Sequence, residues 1–512
     1  MRSELERVSP EAVGVHSEAV MHFVEKLEST GAQLHGLMIL RHGKVLAEGW
    51  WSPYAPGIRH GCQSLTKTYT STAIGLLYDE GRVRLDERIV DIFPAYVPDN
   101  PSQWLLETTV KDVLCMSTGI YQFPDLTSDQ WLKQYMELPR RKQPGEGFYY
   151  CSATSSLLAA IVLEKTGEHL LEYLKPRLFD KIGIDADNLR ILKMADGRDN
   201  GGGGLFSTTE DNARLMQLYL NQGIWNGEQI LSKEWIAMAT RYQNSTEEDQ
   251  GIQDCHLGYG FQMWMCKPEG VYRADGAYGQ YAIVVPKLDM VISINELAHL
   301  GVWPQKILDI VWEEFLPYVE EGDSRYEEDQ EKYRILKKKL DSLCLKKPIF
   351  RPQADFAKKN PVSQWKLEKN QLSIIPSSYH FLCGIPVEGI GAMSFDFSRT
   401  DEIQWKIQYG TEEYSFIIGT DGNGRYNTGL PKESVSQLTY IHGCWKEECI
   451  LEIHVQYIET CFEKIFTLQF ENDTIKVQLE EANTSVTQLE ETLATYTYGR
   501  ILRSGVSAVI VG

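Results

Sequence analysis

The chain is short of positive charge and of long apolar segments. Lysines and arginines number 51 against 71 aspartates and glutamates, which gives a formal net charge of −20. This balance argues against nucleic acids or anionic membrane surfaces as partners held by bulk electrostatics, and it suits neutral or cationic small molecules. Residues 1–7 lack the apolar core of a signal peptide, and no apolar run reaches the length of a membrane span. We therefore expect a soluble, cytoplasmic protein with no nucleic-acid or membrane partner, and the sequence does not indicate its oligomeric state.

The spacings that hold metals, disulfides and phosphates are missing as well. The ten cysteines are scattered, and the closest pair, Cys444 and Cys449, has no matching second pair. The eleven histidines show no two-histidine helix motif. The glycine run 201–204 lacks the Lys-Ser or Lys-Thr ending of a phosphate loop. We expect reduced thiols, no metal and no cofactor.

Length and patterning predict more than one domain, since 512 residues exceed what a single core usually serves. Residues 18–28 are typical of an amphipathic helix. Strand patterns at 36–40 and 44–49 flank a His-Gly turn, helical patterns then continue to about residue 240, and strand patterns return at 281–285 and 290–294. This order predicts an α/β or α+β domain over 1–318, in which an antiparallel sheet packs on a helix cluster.

The rest of the chain has a different pattern. Residues 319–349 are highly charged, which predicts a solvated helix or linker. Beyond them, alternation replaces helical periodicity, as in the hairpin of residues 466–470 and 475–479. We expect residues 350–512 to form a separate β-rich domain, a small barrel or sandwich.

The most informative motif is Ser64-Leu65-Thr66-Lys67. Residues three apart share one face of a helix, so the Lys67 amine can reach the Ser64 hydroxyl and help to remove its proton. An uncharged helical run follows and stops at Gly81. The same spacing recurs at Ser363 and Lys366, within a polar stretch that has no helix behind it. We therefore predict a lysine-activated nucleophile at Ser64 and none at Ser363.

A second motif, Pro144 to Ser152, places Tyr150 and Ser152 just before another apolar helix. Near Lys67, Tyr150 is expected to have a depressed pKa and act as general base, while Ser152 hydrogen-bonds Lys67. Without the serine motif, Tyr150 is better interpreted as a packing aromatic. Ser207 and Glu210 are interpreted as a helix capping box.

Together these segments resemble the serine β-lactamase and penicillin-recognising superfamily, in particular the class C β-lactamase-related branch that includes esterases and D-aminopeptidases. The resemblance covers residues 8–315 and is carried by 64–67, 85–87, 93–94, 109–119, 144–152, 202–211 and 258–260. It implies a β-lactamase-like fold and a serine hydrolase that works through an acyl-enzyme.

The third motif of that family is altered here. The resemblance leads us to expect a basic residue or histidine, a hydroxyl residue and then glycine, but the chain has Ala274, Asp275 and Gly276. Loss of the cation argues against efficient β-lactamase activity, whereas the backbone N–H of Ala277 can still join that of Ser64 in an oxyanion hole. Asp275 suits a cationic group of a substrate, or is an ordinary turn residue.

These observations predict a hydrolase of small esters, amides or D-amino-acid peptides. Ser64, Lys67 and Tyr150 are its expected catalytic residues, and Ala277, Ser152, Gly276 and Asp275 its expected oxyanion and substrate-binding residues. Two alternatives stay open: a slowly deacylating penicillin-binding or sensor-type protein, and a binding protein whose catalytic domain is degenerate.

Overall fold

The computed structural model describes residues 4–249, 251–298, 303–323, 325–345, 350–383, 385–431, 435–471, 473–482 and 492–501. Its contacts divide the chain into two units, Met1–Leu345 and Lys346–Gly512. Within the described ranges, no helix is long and apolar enough to cross a membrane.

The first unit is built on an antiparallel sheet of six strands. In chain order its strands and three smaller pairings are β1 (Gln33–Arg41), β2 (Lys44–Trp50), β3 (His60–Gly61), β4 (Arg190–Ile191), β5 (Leu205–Ser207), β6 (Ile224–Trp225), β7 (Glu228–Gln229), β8 (Trp264–Met265), β9 (Tyr272–Gly276), β10 (Gln280–Val285) and β11 (Met290–Leu297). The large sheet has the order β2-β1-β11-β10-β9-β8, so early and late strands meet at its centre. The antiparallel sheet predicted from the sequence is confirmed.

Helices cover both faces of this sheet. They are α1 (Ser17–Ser29), α2 (Thr66–Asp79), α3 (Ile89–Ile92), α4 (Gln103–Glu107), α5 (Val110–Leu114), α6 (Trp131–Glu137), α7 (Ser152–Thr166), α8 (Leu170–Leu174), α9 (Asp180–Ile182), α10 (Thr209–Leu220), α11 (Lys233–Ala239), α12 (Trp303–Ile310) and α13 (Gln330–Asp341).

Alternation along β1 explains the continuous apolar run from Leu37 to Leu40. Met38 and Leu40 enter a core shared with α2 and α7. Leu37 and Ile39 enter a second core, shared with α1 and α12. Successive side chains of a strand point to opposite faces, so a strand covered on both sides can carry apolar residues at successive positions.

Within its described residues, the second unit is a barrel of ten strands. Its elements are α14 (Asp355–Lys359), β12 (Val362–Leu367), α15 (Ser377–Cys383), β13 (Ile390–Asp396), β14 (Glu402–Tyr409), β15 (Glu412–Gly419), β16 (Arg425–Asn427), β17 (Thr439–Glu447), β18 (Ile450–Tyr457), β19 (Glu463–Glu471), β20 (Thr474–Ala482) and β21 (Thr492–Ile501). The strand order is β15-β14-β13-β12-β21-β20-β19-β18-β17-β16. A parallel contact between Gly419 of β15 and His442 of β17 nearly closes this sheet on itself. Of the two predicted forms, barrel and sandwich, the barrel is correct.

The charged segment after residue 318 packs on the first unit where the structure describes it. Lys332 and Lys339 of α13 form ion pairs with α1 at 2.9 and 2.6 Å. Leu336 lies between them on the same face of the helix and is buried in the core of that unit. The contact boundary follows Leu345, and functional boundaries at 318 and 350 stay a prediction.

Candidate active site

Ser64 lies in a tight turn between a short strand and a long buried helix. The 3-10 turn Gln63–Leu65 follows β3 and leads directly into α2. Gln63, immediately before the serine, has a φ of 49°, which is unusual for a residue with a side chain. Such local strain is concentrated at functional sites, where the surrounding fold maintains it. Here it fixes the direction in which the chain presents Ser64.

Lys67 brings most of the predicted residues together. Its side chain is 1% exposed. Its Nζ donates to Ser64 Oγ at 2.9 Å, to Ser152 Oγ at 3.2 Å and to the carbonyl of Gly202 at 2.5 Å. It also lies 4.7 Å from the centre of the Tyr150 ring. All three ammonium hydrogens therefore have an acceptor, and every acceptor is a neutral group.

Lys67 is buried and bonds directly to no carboxylate, and both conditions favour its neutral form. Burial lowers the pKa of Lys67 to about 7, although Cys151 and Asp275 act in the opposite direction. Near neutral pH a large fraction of Lys67 is then an uncharged amine whose lone pair faces Ser64 Oγ. That is the state a general base requires.

Tyr150 lies beside Lys67 and belongs to a cluster of aromatic side chains. Its ring packs on Trp264 at a centroid distance of 5.2 Å and on Tyr259 at 6.1 Å. Burial raises the pKa of Tyr150, and its hydrogen bond with Ser64 only partly offsets that effect. The depressed pKa expected from the sequence is therefore wrong, because the loss of water around the phenol outweighs its hydrogen bond with Ser64. Tyr150 is a neutral phenol in this site.

Ser152 and the glycine run meet directly. Ser152 is the first residue of α7. A Cβ on Gly202 would collide with the Ser152 carbonyl, so only glycine allows the loop to place its own carbonyl on Lys67. The role of the Gly202 carbonyl could not be predicted from the sequence, since backbone acceptors leave no residue-specific signal.

The end of β9 lies beside the serine turn. A Cβ on Gly276 would collide with the Cys62 carbonyl and approach the Gln63 side chain. Ala277 follows in the turn between β9 and β10, where Tyr278 also has a positive φ of 69°. This proximity is compatible with an oxyanion hole from the N–H groups of Ser64 and Ala277, and that role stays a prediction.

Asp275 has a partner within the protein. Its carboxylate accepts from Arg273 Nε at 2.7 Å, and the Arg273 side chain is fully buried. The altered third motif thus carries a buried ion pair in place of a free cation. Contact of Asp275 with a substrate amine stays a prediction.

The second copy of the motif has a different geometry. Ser363 and Lys366 lie on β12, where Ser363 is buried and Lys366 exposed. Positions three apart on a strand point to opposite faces, so the two side chains cannot meet. The helix capping box is also displaced by one residue, to Thr208 and Asp211 in place of Ser207 and Glu210, because β5 continues through Ser207.

Comparisons with known proteins agree with this fold and motif. Residues 20–295 match the family model described as Beta-lactamase. A 6-aminohexanoate-dimer hydrolase from Paenarthrobacter ureafaciens is 28% identical over 306 residues, which cover 55% of this chain and 75% of that protein. Penicillin-binding protein 4 of Amycolatopsis lactamdurans is 22% identical over 267 residues, covering 45% and 70% respectively. A solved Bacillus anthracis protein, named as a candidate 6-aminohexanoate-dimer hydrolase, has a TM-score of 0.50 at 21% identity and covers 60% of this chain and 86% of its own.

The chain belongs to the Beta-lactamase family. It is a β-lactamase-related serine hydrolase, and an acyl-enzyme mechanism fits this family.

Proposed function

We propose that the protein hydrolyses small esters, amides or D-amino-acid peptides through an acyl-enzyme on Ser64. The observation that carries this proposal is the 2.9 Å contact between Ser64 Oγ and the Nζ of a fully buried Lys67. Burial lowers the pKa of that amine to about 7, which matches a base that works near neutrality.

Lys67 and Tyr150 carry out different proton transfers in this mechanism. Neutral Lys67 accepts the Ser64 proton while Oγ bonds to the substrate carbonyl carbon, and the N–H groups of Ser64 and Ala277 stabilise the resulting oxyanion. When the intermediate collapses, the bond from carbon to the leaving oxygen or nitrogen breaks. The Tyr150 phenol gives its proton to that leaving group and recovers one from the Lys67 ammonium. Water then attacks the carbonyl carbon of the ester on Ser64. Lys67 accepts the proton of that water, and Ser64 Oγ takes a proton back as the acid leaves.

The substrate class is inferred from the charges around the site. The third motif offers no unpaired cation, since Arg273 is held by Asp275 at 2.7 Å, so a substrate carboxylate gains no strong contact there. Aromatic side chains at Phe148, Tyr150 and Trp264 suit a neutral or apolar acyl group. Because the chain is similar to a 6-aminohexanoate-dimer hydrolase, a small linear amide should be among the substrates tested.

The test compares wild type with Ser64→Ala and with the control Ser363→Ala. We would measure intact mass after a fluorophosphonate probe, and hydrolysis of p-nitrophenyl esters, 6-aminohexanoate dimer, D-alanyl peptides and benzylpenicillin. Labelling and turnover should be lost in Ser64→Ala and kept in Ser363→Ala. Labelling retained in Ser64→Ala would refute the assignment. A stable benzylpenicillin adduct without turnover of any substrate would favour the slowly deacylating alternative, and no adduct on folded protein would favour the degenerate one.

A cytoplasmic location stays a prediction, which fractionation of cells that express the tagged protein would test.

A further inference from the structure

A cluster of metal-binding side chains lies on the outer face of the barrel, outside the catalytic unit. His442 on β17, His454 on β18 and Glu463 on β19 each offer one ligand atom, and these atoms all lie within 4.8 Å of one another. His442 and His454 are directly opposed across the strand pair. Their rings stack at a centroid distance of 4.5 Å. Three neighbouring strands thus place two imidazoles and a carboxylate side by side on one face.

Each ring nitrogen of His454 faces a carboxylate. Its Nε2 lies 3.0 Å from Glu452 Oε1, and Glu452 is itself paired with Lys446 at 3.1 Å. A hydrogen on Nε2 satisfies this contact and leaves the lone pair on Nδ1. That Nδ1 lies 2.7 Å from Glu463 Oε1. A lone pair and a carboxylate at this separation repel each other unless a cation or a proton lies with them.

His442 supplies a second nitrogen in need of a partner. Its Nδ1 is buried and, within the described residues, has no hydrogen-bond partner. A proton between His454 and Glu463 would satisfy those two residues and leave His442 as it is. A metal ion bound to all three removes both problems, and buried polar atoms without a partner are rare enough to call for such an explanation.

We propose that His442, His454 and Glu463 bind a divalent transition metal of the Zn²⁺ type, with Glu452 orienting His454 from behind. Two imidazoles, one carboxylate and an open fourth position are a set that Zn²⁺ accepts in tetrahedral geometry. A carboxylate on the far nitrogen of a ligating histidine is the usual outer support of such a site. No sequence motif indicates this site, because the ligands are 12 and 9 residues apart on three separate strands and match no helical or paired-cysteine spacing.

The direct test is binding of Zn²⁺ to the full chain after chelation and dialysis. Titration calorimetry and metal analysis should find one ion per chain, and Co²⁺ in its place should give the visible bands of a tetrahedral complex. His454→Ala and Glu463→Gln should each weaken binding by about tenfold or more. Gln469→Ala, on the same face of β19, should bind like wild type. Metal should also raise the melting temperature of wild type and not of the two ligand variants.

The possible results distinguish metal bound by this histidine cluster from metal bound by cysteines elsewhere in the chain. Unchanged Zn²⁺ affinity in folded His454→Ala and Glu463→Gln would overturn the proposal, as would absence of Zn²⁺ and Co²⁺ binding by wild type. Binding lost in a Cys444→Ser, Cys449→Ser double variant but kept in His454→Ala would place the metal on thiols and refute it equally. Because these measurements do not depend on hydrolysis, they are independent of the proposed function of Ser64.

Discussion

The pH dependence of acylation distinguishes Lys67 from Tyr150 as the base that activates Ser64. Burial lowers the pKa of Lys67 to about 7 and raises that of Tyr150 above its ordinary value. Only the deprotonated form of either group can accept the serine proton. If Lys67 is the base, its neutral fraction rises from about 1% at pH 5 to about 50% at pH 7 and is nearly complete above pH 8. The rate of acylation should therefore rise about 50-fold from pH 5 to pH 7 and then level off.

Stopped-flow labelling by a fluorophosphonate, or kcat/KM for a p-nitrophenyl ester, would give this profile across the range in which the protein stays folded. Lys67→Met should lower the rate by about a thousandfold and abolish the rising limb. Lys233→Met, which removes an exposed lysine at the start of α11, should change neither. A rate that continues to rise beyond pH 9 would refute the reasoning, because it would assign the activating proton transfer to a group with a high pKa such as Tyr150.

Two further predictions compare matched pairs of substitutions. Gly276→Ala should reduce kcat/KM strongly because its Cβ collides with the backbone before Ser64. Gly203→Ala should be tolerated because the nearest atom to its Cβ is 4.0 Å away. Ester hydrolysis and circular dichroism of both variants would check this. In the barrel, Lys464→Met should cost about 3–5 kcal/mol of unfolding free energy because it leaves the buried Glu481 without its cation. Lys406→Met breaks an exposed pair and should cost under about 1 kcal/mol of unfolding free energy. Guanidinium denaturation would measure both variants, and equal losses of unfolding free energy would contradict the argument.

Elements whose signal is local were predictable from the sequence. The hairpin of β19 and β20 follows from alternation on both sides of a turn, and the structure pairs Phe466 with Leu479 and Phe470 with Ile475. The run after Ser64 is helical because it holds apolar and small residues up to a glycine stop, and α2 ends at Asp79, just before that stop. The meeting of Ser64 and Lys67 follows from helical spacing alone.

What could not be predicted depends on groups brought together from distant parts of the chain. The pKa of Tyr150 is set by burial against Tyr259 and Trp264, more than a hundred residues away. Closure of the barrel depends on one parallel contact between Gly419 and His442. The histidine cluster was missed for the same reason, since cross-strand neighbours have no fixed separation in sequence.

Lys67 and Lys464, the two lysines that are buried among the described residues, show why the acceptors around an amine decide its role. Lys464 Nζ donates to the carbonyls of Ser373 and Ile375 and pairs with the carboxylate of Glu481 at 3.2 Å. Burial lowers the pKa of Lys464, and the carboxylate of Glu481 opposes that shift. Lys67 is equally buried, yet it bonds only hydroxyls and a carbonyl, and the nearest carboxylate, Asp275, is bound to Arg273. An ammonium surrounded by neutral acceptors is the easier one to deprotonate. The same residue type is therefore expected to stabilise one unit as a cation and to act in the other as a base.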